Sequence, residues 1–127
     1  MTAHNNKRPV FLNLTRIHLP VMAVLSVGHR LSGLLLALSI PLLVYLFDRS
    51  LSDAEGYAGV VALLQGNVAR VLLILLAWVF AHHFLAGIRF LLIDLHIGVD
   101  ARLGRASAWA VLAGGVLVMV CVALILL

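Results

Sequence analysis

The sequence predicts an all-α membrane protein in which three transmembrane helices pack as a bundle, and three observations carry that prediction. Of its 127 residues 64% are hydrophobic and only 11% charged, with a mean hydropathy of +1.15, too apolar for an ordinary soluble domain. The apolar residues fall in three long blocks, and crossing a hydrocarbon layer of about 30 Å takes roughly 20 helical residues. The few polar residues inside those blocks are grouped rather than scattered, as expected where an intramembrane polar group has work to do.

Residues 1–20 are expected to form a cytoplasmic N-terminal segment, and residues 21–127 a three-helix transmembrane domain. The first segment carries Lys7, Arg8 and Arg16 with no acid. It shows no short apolar core followed by a small-residue cleavage site, so the first apolar block is expected to serve as an uncleaved insertion signal. Pro20 suits a first helical turn, where its missing N–H is no loss. The first helix is expected over residues 21–47. Pro41 within it removes the hydrogen-bond partner of the Ala37 carbonyl and predicts a kink.

In the linker 48–67, Ser52-Asp53-Ala54-Glu55 reads as a capping box, and Tyr57, Val60, Val61 and Leu64 follow at helical spacing. A short helix lying on the membrane surface is predicted there, ended by Gly66-Asn67. The second long helix is expected over residues 68–95, with Arg70 at one end and Arg89 and Asp94 at the other, snorkelling from a helix longer than the bilayer requires. A polar turn, Asp100 to Arg105, should lead to the third helix over 107–127. Ala106, Ala110 and Gly114 lie four apart there and predict a small-residue ridge for close helix contact.

Lys7, Arg8, Arg16, Arg89, Arg102 and Arg105 fall on one side of this scheme, and Arg49 and Arg70 on the other. The positive-inside rule therefore expects a cytoplasmic N-terminus and an external C-terminus. The net charge of +4 follows this topology. Its cations are not clustered with exposed aromatics, which argues against nucleic acid and for the lipid bilayer as the surrounding partner. Cys121 is the sole cysteine. That excludes an internal disulfide, a cysteine-held iron–sulfur cluster and covalent haem attachment within the chain, and leaves histidine to hold any metal.

Two polar groups stand out. On the first helix Ser26, Arg30 and Gly33 recur at i, i+4 and i+7, with His29 alongside, so one face should present a polar patch above a glycine notch. A lone arginine at a helix end snorkels to headgroups. Four such residues together favour an anionic or carbonyl-bearing ligand, because a guanidinium and a hydroxyl supply donors for oxygen acceptors. On the second helix His82 and His83 interrupt an apolar run. Each could bond a neighbouring helix. Alternatively, a neutral imidazole could ligate haem iron, with Gly87 four residues beyond leaving room for the flat macrocycle. One well-placed ligand per chain would require the second from another chain.

Arg8-Pro9-Val10, Ser26-Val27-Gly28-His29-Arg30-Leu31-Ser32-Gly33, and His83-x-x-x-Gly87-Ile88-Arg89 with Asp94 together resemble the cytochrome b556 subunits of bacterial succinate dehydrogenase over nearly the whole chain. The resemblance implies quinone-binding roles for Ser26 and Arg30, a haem-propionate neighbourhood for His29 and Arg30, and His83 as the axial ligand of haem b, with His82 the alternative. Asp94 matches the family's acidic residue and is expected to support Arg30 or water near the quinone. Phe90 stands where many relatives have histidine, so any haem-side contact of that residue is missing or replaced.

The resemblance further implies a three-helix bundle packed with a second anchor subunit around haem b, that subunit donating the other axial histidine. An iron–sulfur subunit and a flavoprotein, carrying the iron–sulfur clusters and FAD, would sit on the cytoplasmic face of a bacterial inner membrane. Ubiquinone would be the substrate, and the chain alone would catalyse nothing. The rival expectations are a haem-free structural anchor and the anchor of a quinol:fumarate reductase. A small transporter is disfavoured, because the middles of the first and third helices lack charge.

Overall fold

The computed structural model describes residues 19–127, and the expected N-terminal segment lies outside them except for Leu19 and Pro20. Four helices follow one another: α1 (Val21–Ser52), α2 (Ala54–Gln65), α3 (Asn67–Asp94) and α4 (Ala101–Leu126). Three of them, α1, α3 and α4, are long and apolar enough to cross a membrane. Among the described residues there is no strand.

The helix ends depart from expectation where polar residues prolong a helix past its apolar block. α1 runs through Pro41 and on to Ser52 rather than stopping near Phe47. In its last turns the Ser50 hydroxyl donates to the Phe47 carbonyl and that of Ser52 to the Arg49 carbonyl. Ser52 is thus the end of α1, and Asp53 caps α2, its carboxylate accepting from the Gly56 amide. That hydrogen bond, ahead of the nearby Arg49, holds the Asp53 carboxyl below the usual carboxylate range. The short linker helix is present, with its cap one residue later than the capping-box pattern implied.

The α3–α4 connection differs more. α3 ends in a Schellman arrangement: the His96 amide donates to the Ile93 carbonyl and the Ile97 amide to that of Leu92. His96 takes a left-handed φ of 60°, the conformation that glycine usually supplies at this position. Asp100 then caps α4, its carboxylate accepting from the amides of Arg102 and Leu103. Residues 101–105, expected as a turn, are therefore the first turns of a helix that starts at Ala101 rather than near 107. Their charge gives this polar helix start the hydropathy of a loop.

The small-residue face of α4 also has a different register. Gly104, Ala108, Val111 and Gly115 are buried, whereas Ala106 and Ala110 are exposed; Gly114 alone of the expected ridge packs on α3, beneath Leu85. Arg89 explains the choice. Only 6% exposed, it donates from Nε to the Ser107 hydroxyl at 2.9 Å and from Nη2 to the Gly104 carbonyl at 3.0 Å. Far from snorkelling, it fastens α3 to the start of α4 and rotates that helix so that Gly104 faces inward. Leu25 of α1, Ala86 of α3, and Ala108 and Val111 of α4 close a small core beside it. Elsewhere the long helices leave their large apolar side chains exposed, surfaces suited to lipid or to other apolar chains.

Arg89→Ala is expected to lower stability by about 2–4 kcal/mol, the worth of one or two hydrogen bonds to a buried charged group. Arg89→Lys, lacking the fork that reaches both acceptors, should recover only part of it. Chemical denaturation of the detergent-solubilised protein measures both.

Candidate functional site

Beside this core α1 crosses α3, and the crossing is close because of glycine. A Cβ built on Gly33 would lie 2.9 Å from Cε1 of His83, nearer than side chains tolerate. The His83 imidazole thus lies against bare α1 backbone. Gly33, expected as a notch beneath a ligand patch, is the seat of this ring.

So placed, His83 Nδ1 stands 3.1 Å from the His29 carbonyl oxygen and 3.1 Å from the Ser32 hydroxyl. Ser32 is 5% exposed, and its hydroxyl donates to the same His29 carbonyl at 2.8 Å. A carbonyl oxygen only accepts, so Nδ1 must carry the proton for this triangle to be attractive. A bare Nδ1 would set its lone pair against the carbonyl's at the same distance. The neutral imidazole then keeps its lone pair on Nε2. A metal-ligating histidine characteristically has this form, with the far nitrogen donating to a backbone carbonyl.

His29 lies flat on His83, the ring centroids 4.2 Å apart and the planes 7° from parallel. Phe90 meets His29 edge-on at 5.1 Å. Gly87, expected to make room for a macrocycle, faces His29 instead; a Cβ there would meet His29 Nε2 at 3.6 Å, an ordinary contact. Phe90 thus takes a defined place against the His29 ring.

His82 points elsewhere. It is 6% exposed, and neither ring nitrogen has a hydrogen-bond partner among the described residues. Its Nε2 would lie 2.8 Å from a Cβ on Gly28, so Gly28 is its seat as Gly33 is that of His83. An apolar cavity of about 290 Å³ adjoins it, lined in part by Leu31, Leu35, Trp78 and Leu112.

The remaining expected residues are dispersed. Ser26 is half-buried and Arg30 exposed, so the single polar face is divided: His29, Ser32 and Gly33 engage α3, and Arg30 does not. Asp94, the last residue of α3, is also exposed. Among the described residues the one ion pair joins Arg49 to Asp53, so Asp94 makes none with Arg30. Among those residues, too, no group of three or more His, Cys, Asp or Glu comes together. The chain offers single imidazoles, a donor set that fits one axial position of a haem iron.

Ser32 and Gly28 escaped the sequence reading, although both lie within Ser26–Gly33. A signal existed: Gly28 and Gly33 are spaced to seat two consecutive rings of α3, and Ser32 is three residues from His29, within reach of its carbonyl.

Comparison with known proteins agrees with the resemblance. Residues 4–123 match the family model described as succinate dehydrogenase/fumarate reductase transmembrane subunit. A succinate dehydrogenase cytochrome b556 subunit of Coxiella burnetii is 44% identical over 110 residues, covering 84% of this chain and 86% of that one. Subunits of the same name from Rickettsia conorii and Paracoccus denitrificans are 28% and 25% identical, each covering about nine-tenths of both chains.

Gly33→Ala is expected to displace His83 and cost about 1–3 kcal/mol, the usual penalty of overpacking. Gly87→Ala, with only an ordinary contact to meet, should cost less than about 1 kcal/mol. Denaturation midpoints of the two variants make the comparison.

Proposed function

The chain belongs to the succinate dehydrogenase/fumarate reductase transmembrane subunit family, and from that premise we propose that it is the cytochrome b anchor of a succinate:quinone oxidoreductase. Its part is to hold one axial position of haem b and to contribute to the site where ubiquinone is reduced. The observation that carries this reading is the His83 imidazole, whose Nδ1 is committed to the His29 carbonyl and the Ser32 hydroxyl. Nε2 is thereby left as the iron donor. Relatives bearing the succinate dehydrogenase name favour succinate oxidation over fumarate reduction, and the His83 geometry favours a haem-bearing anchor over a haem-free one.

His82 is the weaker ligand. Its unpartnered nitrogens invite a metal, but both are sealed from solvent and Nε2 abuts Gly28, so a macrocycle would have to part α1 from α3. Haem b, when bound, supplies a one-electron redox centre beside the quinone. His83 would hold it, and His29 and Arg30 would neutralise its propionates. Ser26 and Arg30, four residues apart at the same end of α1, donate hydrogen bonds to a quinone carbonyl oxygen. They favour the negative charge that grows there on reduction. Asp94 supports the water that delivers protons to that site.

The partners are a second anchor subunit giving the other axial ligand, an iron–sulfur subunit passing electrons across the cytoplasmic surface, and a flavoprotein. The N-terminus lies in the cytoplasm and the C-terminus in the periplasm of a bacterial inner membrane. Arg89 leaves the topological count because it is buried. Lys7, Arg8, Arg16, Arg102 and Arg105 still outnumber Arg49 and Arg70.

In the assembled complex, His83→Leu is expected to lose or perturb the b-type absorption spectrum while His82→Leu retains it; the reverse pattern would reassign the ligand. Arg30→Ala is expected to slow ubiquinone reduction by on the order of 10²-fold, the cost of one oxyanion donor, with succinate-driven reduction of a soluble dye unchanged. Equal loss of both activities would place Arg30 in assembly instead.

A further inference from the structure

Ser32 is assigned no contact with quinone or haem above, yet it is the most completely buried polar side chain on α1. Its hydroxyl proton goes to the His29 carbonyl at 2.8 Å, which turns a lone pair toward His83 Nδ1 at 3.1 Å. The Nδ1 proton is thus shared between two oxygens, one of them polarised by the other. We infer that Ser32 is a positioning residue for His83: it fixes the imidazole in the Nδ1–H form, holds its plane against α1, and strengthens the electron donation of Nε2.

Three features of the site converge on this role. First, the ring cannot rotate away cheaply, because Gly33 lies under one edge and the His29 ring covers one face at 4.2 Å. Second, the His29 carbonyl by itself would leave the ring free to tilt about a single hydrogen bond; a second acceptor at equal distance sets the plane. Third, a proton drawn toward two acceptors gives the imidazole partial anionic character, and hydrogen bonds of this kind raise ligand basicity. A stronger donor favours the more highly charged ferric state of an iron it binds. Ser32 is therefore expected to lower the reduction potential of the haem, and its removal to raise it.

The inference rests on His83 being the axial ligand, and the experiment separates the two. The full complex is purified through this subunit carrying Ser32→Ala, Ser32→Thr or His83→Leu. Haem content, potentiometric titration of the b-type absorbance and the electron paramagnetic resonance signal of the oxidised haem are compared with wild type. For Ser32→Ala the expected result is an upward shift of the midpoint potential, with an altered resonance signal as the ring plane relaxes. Ser32→Thr, which keeps the hydroxyl, should lie near wild type in both. Loss of haem from Ser32→Ala with retention in Ser32→Thr supports the same role. An unchanged or lowered potential in Ser32→Ala overturns it, as does the same shift or the same haem loss in both variants. An unaltered haem spectrum in His83→Leu overturns the axial-ligand reading itself, whatever Ser32 does.

Discussion

A polar group within an apolar layer has to find its partners inside the protein, and this chain meets that constraint with α1 backbone. The His83 imidazole is satisfied only because α1 comes near enough to offer the His29 carbonyl and the Ser32 hydroxyl, and α1 comes that near only because residue 33 has no side chain. Helix association between apolar surfaces gains little from the hydrophobic effect when lipid is the solvent. Small residues that admit close approach and polar groups that pair across the gap then define the packing. Gly28 and Gly33 make the approach possible, and the His83 triangle and the Arg89 clasp give it a register.

Those two polar ties divide the work of the fold. Arg89 joins α3 to α4 through Ser107 and Gly104, and His83 joins α3 to α1. Since α3 contributes to both, its rotation about its own axis is set twice, which places consecutive histidines in unlike surroundings. His83 receives a hydrogen-bonding frame and a stacking partner. His82 receives Gly28, Trp78 and an apolar cavity, with nothing among the described residues to bond its nitrogens. A rotation of α3 by one residue, about 100°, would exchange their roles. The reading of His83 as the functional imidazole thus depends on Arg89, six residues away along the helix.

The Phe90 ring fits the same logic. It cannot offer a polar contact, but its ring packs edge-on against His29, the partner stacked on His83. What looks in the sequence like a missing polar group is, in the folded chain, an apolar contact to a polar one.

By itself the sequence determined that the chain is helical and apolar enough to cross a membrane three times, which helices those are, and which stretches carry the polar chemistry. These follow from composition, block length and local spacing, quantities that need no knowledge of neighbours. It also contained the motifs that place the chain in its family. Only the tertiary structure put His82 and His83 in unlike surroundings, found Ser32, divided the Ser26–Gly33 face between α3 and the exterior, and set the buried register of α4. Helical spacing says which residues share a face but not which face meets a neighbour. In so uniformly apolar a chain, hydropathy does not break that tie. Two pairs of hydrogen bonds between helices do, one centred on Arg89 and the other on His83.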